Sequence, residues 1–180
     1  MASPWNDPLP FSPSLVTKDA GPLIRLHVSP TGKPIGAWGA ISISRPLDEA
    51  WKTIAEVQHL WDRVPMVHRV DVGTDRLRMQ LRFKIALFAV TFGFEVAIHW
   101  IGDHSLELTY LSGEPRDMHL RFDMVSGASA EETILYVRGS FDVDSVGFLA
   151  KYFLKHHPEI RSGIFPGVVV SIMEAIKGGM

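Results

Sequence analysis

No cysteine occurs among the 180 residues of the chain, so disulfides, thiolate metal sites and cysteine nucleophiles are excluded by inventory. A membrane-spanning helix needs roughly 20 consecutive apolar residues, and the longest apolar stretches here are broken by Lys, Glu or Gly well before that. Blocks of like charge are missing too. The 18 basic and 20 acidic residues leave a formal net charge of −2, which implies no strongly charged partner and argues against nucleic acid. There is no Gly-rich phosphate loop, Rossmann fingerprint or nucleophile elbow, so nucleotide chemistry is not expected. The first residues, Met1-Ala2-Ser3-Pro4-Trp5-Asn6-Asp7, show no basic stretch followed by an apolar core and a small-residue cleavage site. Together with the lack of cysteine, this leads to the expectation of a soluble, cytoplasmic protein.

What is present divides into two parts. Residues 1–35 carry Pro4, Pro8, Pro10, Pro13, Pro22, Pro30 and Pro34, a density that defeats both helices and central strands. They are read as an N-terminal extension, with residues 23–28 as a possible short strand and turn chemistry after it. Residues 36–180 are read as one domain, long enough to bury a full core. Residues 37–44 form a first strand. Pro46 then opens a helix with Asp48 and Glu49 in its first turn, against the dipole, and a second short helix ends at Pro65. Beyond Met66 the apolar period drops to two. Leu77, Met79, Leu81, Phe83 and Ile85 alternate with polar residues, as do Val90, Phe92, Phe94, Val96, Ile98 and Trp100, and later Leu106 to Tyr110, Met118 to Met124 and Leu135 to Val143. Turn-like breaks at Gly102, Gly113 and Gly127 imply that successive strands pair as a meander. Residues 145–177 return to helical spacing, with breaks expected at His156-His157-Pro158 and at Gly163-Ile164-Phe165-Pro166-Gly167.

These elements give an α+β class: an antiparallel sheet of six or seven strands, curled around a long C-terminal helix that must cover its one apolar face. A curved sheet closed by a helix encloses an apolar, aromatic interior of the kind that holds small molecules. The order of strand, two short helices, a run of strands and a C-terminal helix, with Pro46-Leu47-Asp48-Glu49-Ala50-Trp51 followed by His59-Leu60-Trp61-Asp62-Arg63-Val64-Pro65, resembles the START-like helix-grip superfamily, also called SRPBCC. That superfamily includes the birch-pollen allergen fold, polyketide cyclases, coenzyme-Q-binding proteins and lipid-transfer domains. The resemblance spans about residues 36–177 and implies a helix-grip fold; it leaves the activity open, since members bind lipids, quinones, hormones or polyketides and only some are enzymes.

Catalytic candidates are few. His99 and His119 fall out of phase with their apolar neighbours and so face away from the core. His59, His68 and His104 sit at helix ends or turns, and His156-His157 suits a helix C-terminus. None pairs at a recognised zinc spacing, so no metal site is expected. On the apolar face, Tyr110 is the main group able to move a proton, and Tyr136 sits on the other phase. Glu95, Glu107, Asp117 and Asp123 read as facing solvent. Arg78, Arg82, Lys84, Arg121 and Arg138 read either as a basic patch or as a solvated face balanced by acids.

The expected function is binding or transport of a hydrophobic small molecule, a lipid, isoprenoid, quinone or polyketide, with no cofactor. Expected lining residues are Trp61, Leu81, Phe83, Phe92, Phe94, Val96, Leu108, Tyr110, Leu120, Phe122 and Val137, with Phe153, Val168 and Ile172 from the helices. A polyketide cyclase or aromatase is the alternative, and needs an ionisable group such as His99, His119, Arg121 or Asp117 turned inward. A third reading comes from residues 85–90, a hairpin position without Gly, Asn, Asp or Pro. Either the strand runs on with a bulge, or Leu87 and Phe88 form an apolar tip for peripheral membrane or partner contact.

Overall fold

A computed structural model describes residues 11–18, 21–85 and 88–179. The described residues form one eight-stranded antiparallel sheet: β1 (Leu23–Val28), β2 (Pro34–Ile43), β3 (Val67–Val72), β4 (Arg76–Ile85), β5 (Phe88–Trp100), β6 (Ser105–Gly113), β7 (Arg116–Ser126) and β8 (Thr133–Asp142). Helices α1 (Leu47–Ala55) and α2 (Val57–Asp62) link β2 to β3, and α3 (Phe148–His156) and α4 (Pro158–Gly178) close the chain. The spatial order β1-β2-β8-β7-β6-β5-β4-β3 is a meander from β3 to β8 whose last strand returns to pair with β2.

The strand count exceeds the six or seven expected from the alternation, because β3 escapes that reading. A register shift between Val67 and Arg69 breaks its period of two, and a bulge of this kind hides a short edge strand from pattern matching. β1 is present and pairs with β2 from Leu23↔Ala40 to Val28↔Pro34. Part of the proline-rich segment therefore forms an edge of the same sheet.

The two faces of the sheet follow from parity. Ile41, Leu77, Met79, Phe94, Val96, Leu106, Leu108, Phe122 and Val137 point to the concave side and are buried. Across this face lies α4, which sends Phe165, Val169, Ile172, Met173 and Ile176 into the same core. Closest approach comes at Gly39 on β2, where a Cβ would stand 2.5 Å from Met173 and 2.6 Å from Val169. Any side chain there would collide with both, so that these side chains or the helix must shift.

Proline explains one helix boundary and fails to explain another. The chain breaks between α3 and α4 at His157, with Pro158 in the first turn of α4, as expected. The second expected break does not occur: α4 runs unbroken through Gly163, Pro166 and Gly167. Pro166 has no N–H to offer the preceding turn, but packing of the following turns on β2 holds the helix together.

The convex side is not uniformly wet. Val16, Ala40, Ile134 and Tyr136 form a second small core, with Phe11, Leu23 and Val125 packed against it. The Tyr136 hydroxyl donates to the Phe11 carbonyl oxygen at 3.2 Å. A segment of the N-terminal extension thus straps the outer face of β2 and β8. No helix among the described residues is long and apolar enough to cross a membrane.

Candidate functional site

The interior between the sheet and α4 is apolar and nearly filled. Where the N-terminal half of α4 crosses the sheet, a cavity of about 20 Å³ remains, lined by Met79, Leu81, Phe94, Met118, Leu120, Gly139, Ser140, Phe141, Phe165, Val168 and Val169. That is room for about one water molecule. A site for a drug-sized ligand encloses roughly 300–1,000 Å³, so the cavity in this structure is far smaller than such a site.

Of the residues expected to line a pocket, Leu81, Phe94, Leu120 and Val168 meet at this cavity. Trp61, Phe92, Val96, Leu108, Phe122, Val137 and Ile172 are buried in the same core but do not border it. Trp61 packs edge-on against Phe122 with ring centroids 6.2 Å apart, and its indole N–H is buried without a hydrogen-bond partner among the described residues. Tyr110 is half-buried and donates to the Gly113 carbonyl oxygen at 3.0 Å. The side chains of Phe83 and Phe153 lie outside the described residues.

Sequence reasoning missed Met79, Met118, Phe141 and Phe165. The first three share the strand phase of residues already chosen and were open to the parity argument. Phe165 was hidden by the break wrongly placed at Pro166. The methionines matter because their unbranched side chains adapt to irregular space; Met79, Met118 and Met173 are all fully buried.

No ionisable group on β2 or β4 to β8 faces this interior among the described residues, apart from the Tyr110 hydroxyl. The groups that a cyclase would use lie on the convex side. His99 is exposed and bonds Thr109 at 2.8 Å. Asp117 is exposed. His119 Nε2 meets Glu107 Oε1 at 2.5 Å. Burial pushes the His119 pKa below the ordinary 6.5, outweighing the hydrogen bond and charge of Glu107, which push the other way.

Asp123, expected to face solvent, is instead buried on the convex side. Its carboxylate accepts from Ser105 Oγ at 2.8 Å, from Arg121 at 2.9 Å and from Arg138 at 3.4 Å. Such a charge survives burial because it is paired and hydrogen-bonded. Arg121 and Arg138, directly opposed across β7 and β8, are bridged by this one carboxylate, which offsets their mutual repulsion. Arg76 and Arg78 lie 3.6 and 3.5 Å from Glu95. Arg78, Arg121 and Arg138 are thus paired with acids on the outer face, while Arg82 is exposed and the side chain of Lys84 lies outside the described residues.

No group of three or more His, Asp or Glu able to hold a metal ion occurs among the described residues. β4 and β5 pair as far as Ile85↔Phe88; Leu87 and the side chain of Phe88, the expected apolar tip, lie outside the described residues.

No family model and no curated protein sequence matches the chain. Solved structures do. A START superfamily protein from Mycobacterium smegmatis is similar with a TM-score of 0.56 and 10% identity, over 79% of this chain and 94% of that one. A conserved protein from Geobacillus kaustophilus reaches 0.60 with 16% identity, over 79% and 92%. The Zhui aromatase/cyclase from Streptomyces sp. R1128 reaches 0.50 with 15% identity, over 88% and 97%. The strand, two helices, meander and covering C-terminal helix of this chain are therefore those of the START-like helix-grip fold.

Proposed function

We propose that the protein binds or carries a hydrophobic small molecule, of lipid, isoprenoid, quinone or polyketide class, between the concave face of its sheet and α4. The observation that carries this reading is the interior itself: an apolar sheet face without a charged side chain, meeting a helix over a residual cavity edged by two methionines. Burial of an apolar ligand there would contribute roughly 25 cal/mol per Å².

The closed volume requires that the interior open to admit a ligand. Two features make the N-terminal half of α4 the part that moves. Pro166 leaves the helix one backbone hydrogen bond short beside the cavity, whereas the C-terminal half is locked over Gly39 by Val169 and Met173. Adaptable methionine side chains then make room as the helix lifts. The cytoplasmic setting expected from the sequence belongs to the same proposal.

Val168 is half-buried at the cavity edge, so Val168→Phe fills the space without burying a new polar group. Titration with a panel of long-chain fatty acids, isoprenoid quinones and aromatic polyketides, read by tryptophan fluorescence, is expected to show saturable binding of at least one class. The variant should bind it at least tenfold more weakly while keeping the wild-type circular dichroism. Equal affinity in the variant would place the ligand elsewhere.

A further inference from the structure

Helix α3 presents an exposed aromatic and basic face opposite the side by which it is anchored. At 100° per residue, Ala150 and Leu154 share one side of the helix, and both are buried. Phe148, Tyr152 and His156 follow at intervals of four on the other side, flanked by Lys151 and Lys155. These five residues cover a roughly 140° arc. Phe148 is 81% exposed and Tyr152 58%, while both lysines and His156 are exposed. Between Ser145 and Pro158 the sequence holds no acidic residue.

Two large rings exposed one turn apart, Phe148 and Tyr152, form a contiguous apolar patch, and such patches mark contact surfaces. The charge pattern says which kind. The chain as a whole is net negative at −2, yet the charges that α3 itself carries around its aromatic ridge are all basic. Aromatic rings beside lysines match the interfacial zone of a bilayer, where rings sit at headgroup level and lysines reach anionic lipid. Position agrees. α3 begins seven residues after Phe141, a cavity-lining residue, and Gly147 just before it lies beside the Glu114 side chain at the β6–β7 turn. The face thus adjoins the end of the molecule where the residual cavity lies.

We infer that α3 docks the protein onto an anionic lipid surface, with Phe148 and Tyr152 inserted at the headgroup level and Lys151 and Lys155 against acidic lipid. The contact is peripheral and electrostatically gated. Each lysine contributes about fivefold to partitioning on an anionic surface, an effect that salt screens. The inference goes beyond ligand binding and does not depend on it, because the surface contact involves none of the interior residues.

The test is flotation of the purified protein with vesicles of phosphatidylcholine alone or with 30% phosphatidylserine, in 50 mM and 500 mM NaCl. The expected result is binding to the anionic vesicles at low salt, weak binding to neutral ones, and loss at high salt. Lys151→Glu with Lys155→Glu should lower partitioning at least about 25-fold, and Phe148→Ser with Tyr152→Ser should lower it with the charges intact. All four positions are exposed, and circular dichroism should confirm that both variants stay folded. Equal partitioning to the two vesicle types, or anionic binding that neither variant weakens, would overturn the inference. So would sedimentation velocity showing a wild-type dimer that Phe148→Ser makes monomeric, since that would assign the face to a second copy of the chain. Ligand titration without vesicles reads the interior separately, so the two proposals fail independently.

Discussion

Asp123 accepts hydrogen bonds from Ser105, Arg121 and Arg138, and Arg138 is only 3% exposed. Removing the carboxylate leaves two facing guanidinium groups without their shared counter-charge, which is the costly way to break a buried pair. Asp123→Ala is expected to cost about 3 kcal/mol in urea unfolding, whereas Glu95→Ala, which loses only pairs to exposed arginines, should cost about 1 kcal/mol or less. His119 supplies a pH dependence. Its native pKa is depressed below 6.5, so at acidic pH the unfolded chain binds more protons than the folded one. Stability is then fully present above the unfolded value and is lost as pH falls through the lowered native value. Urea midpoints taken from pH 7.5 down to 5.0 should fall more steeply for the wild type than for His119→Gln, which keeps a donor for Glu107 but no titration. Parallel slopes would show that His119 does not contribute. Parity in the sequence placed both residues on the correct side of the sheet. It could not reveal their burial, because that depends on partners from neighbouring strands, Glu107 for His119 and Ser105 and Arg138 for Asp123.

At the level of elements, α4 meets β2 most closely over Gly39, and the proposed lifting of α4 over the cavity turns on Pro166. Gly39→Ala inserts a Cβ against Met173 and Val169 and is expected to cost 1–3 kcal/mol by overpacking, read as a lowered urea midpoint. Pro166→Ala supplies the backbone N–H that the helix lacks at this position and should stabilise the protein by about 1 kcal/mol. If the helix must lift to admit ligand, the same change should slow association in stopped-flow fluorescence. Unchanged kinetics with raised stability would separate the proline from ligand entry. Strands β4 to β8 were legible because their inward phase is apolar throughout, even where β8 also buries Ile134 and Tyr136 on its outer face, and a period of two survives a bulge between Glu95 and Val96. β3 was not, because its bulge falls within six residues. α4 was misread as broken because a proline rule written for isolated helices ignores the tertiary packing that follows Pro166.

At the scale of the whole molecule, the order of elements in the sequence implies the helix-grip architecture, and the structure has it. An apolar interior was equally legible, since composition on the inward phase determines it. Its volume was not. Whether Met79, Met118 and Phe165 fill the space or surround a ligand depends on rotamers and on where α4 rests, neither of which leaves a periodic trace. The central claim is that this closed interior opens around one hydrophobic molecule. Native mass spectrometry of gently purified protein, followed by organic extraction and identification of what is bound, tests it most directly. The account predicts a stoichiometric adduct of lipid, quinone or polyketide character, diminished in Val168→Phe. A protein that carries no adduct when expressed in its own host, and takes none up from extracts of that host, would contradict it and leave the interior as a packed core alone.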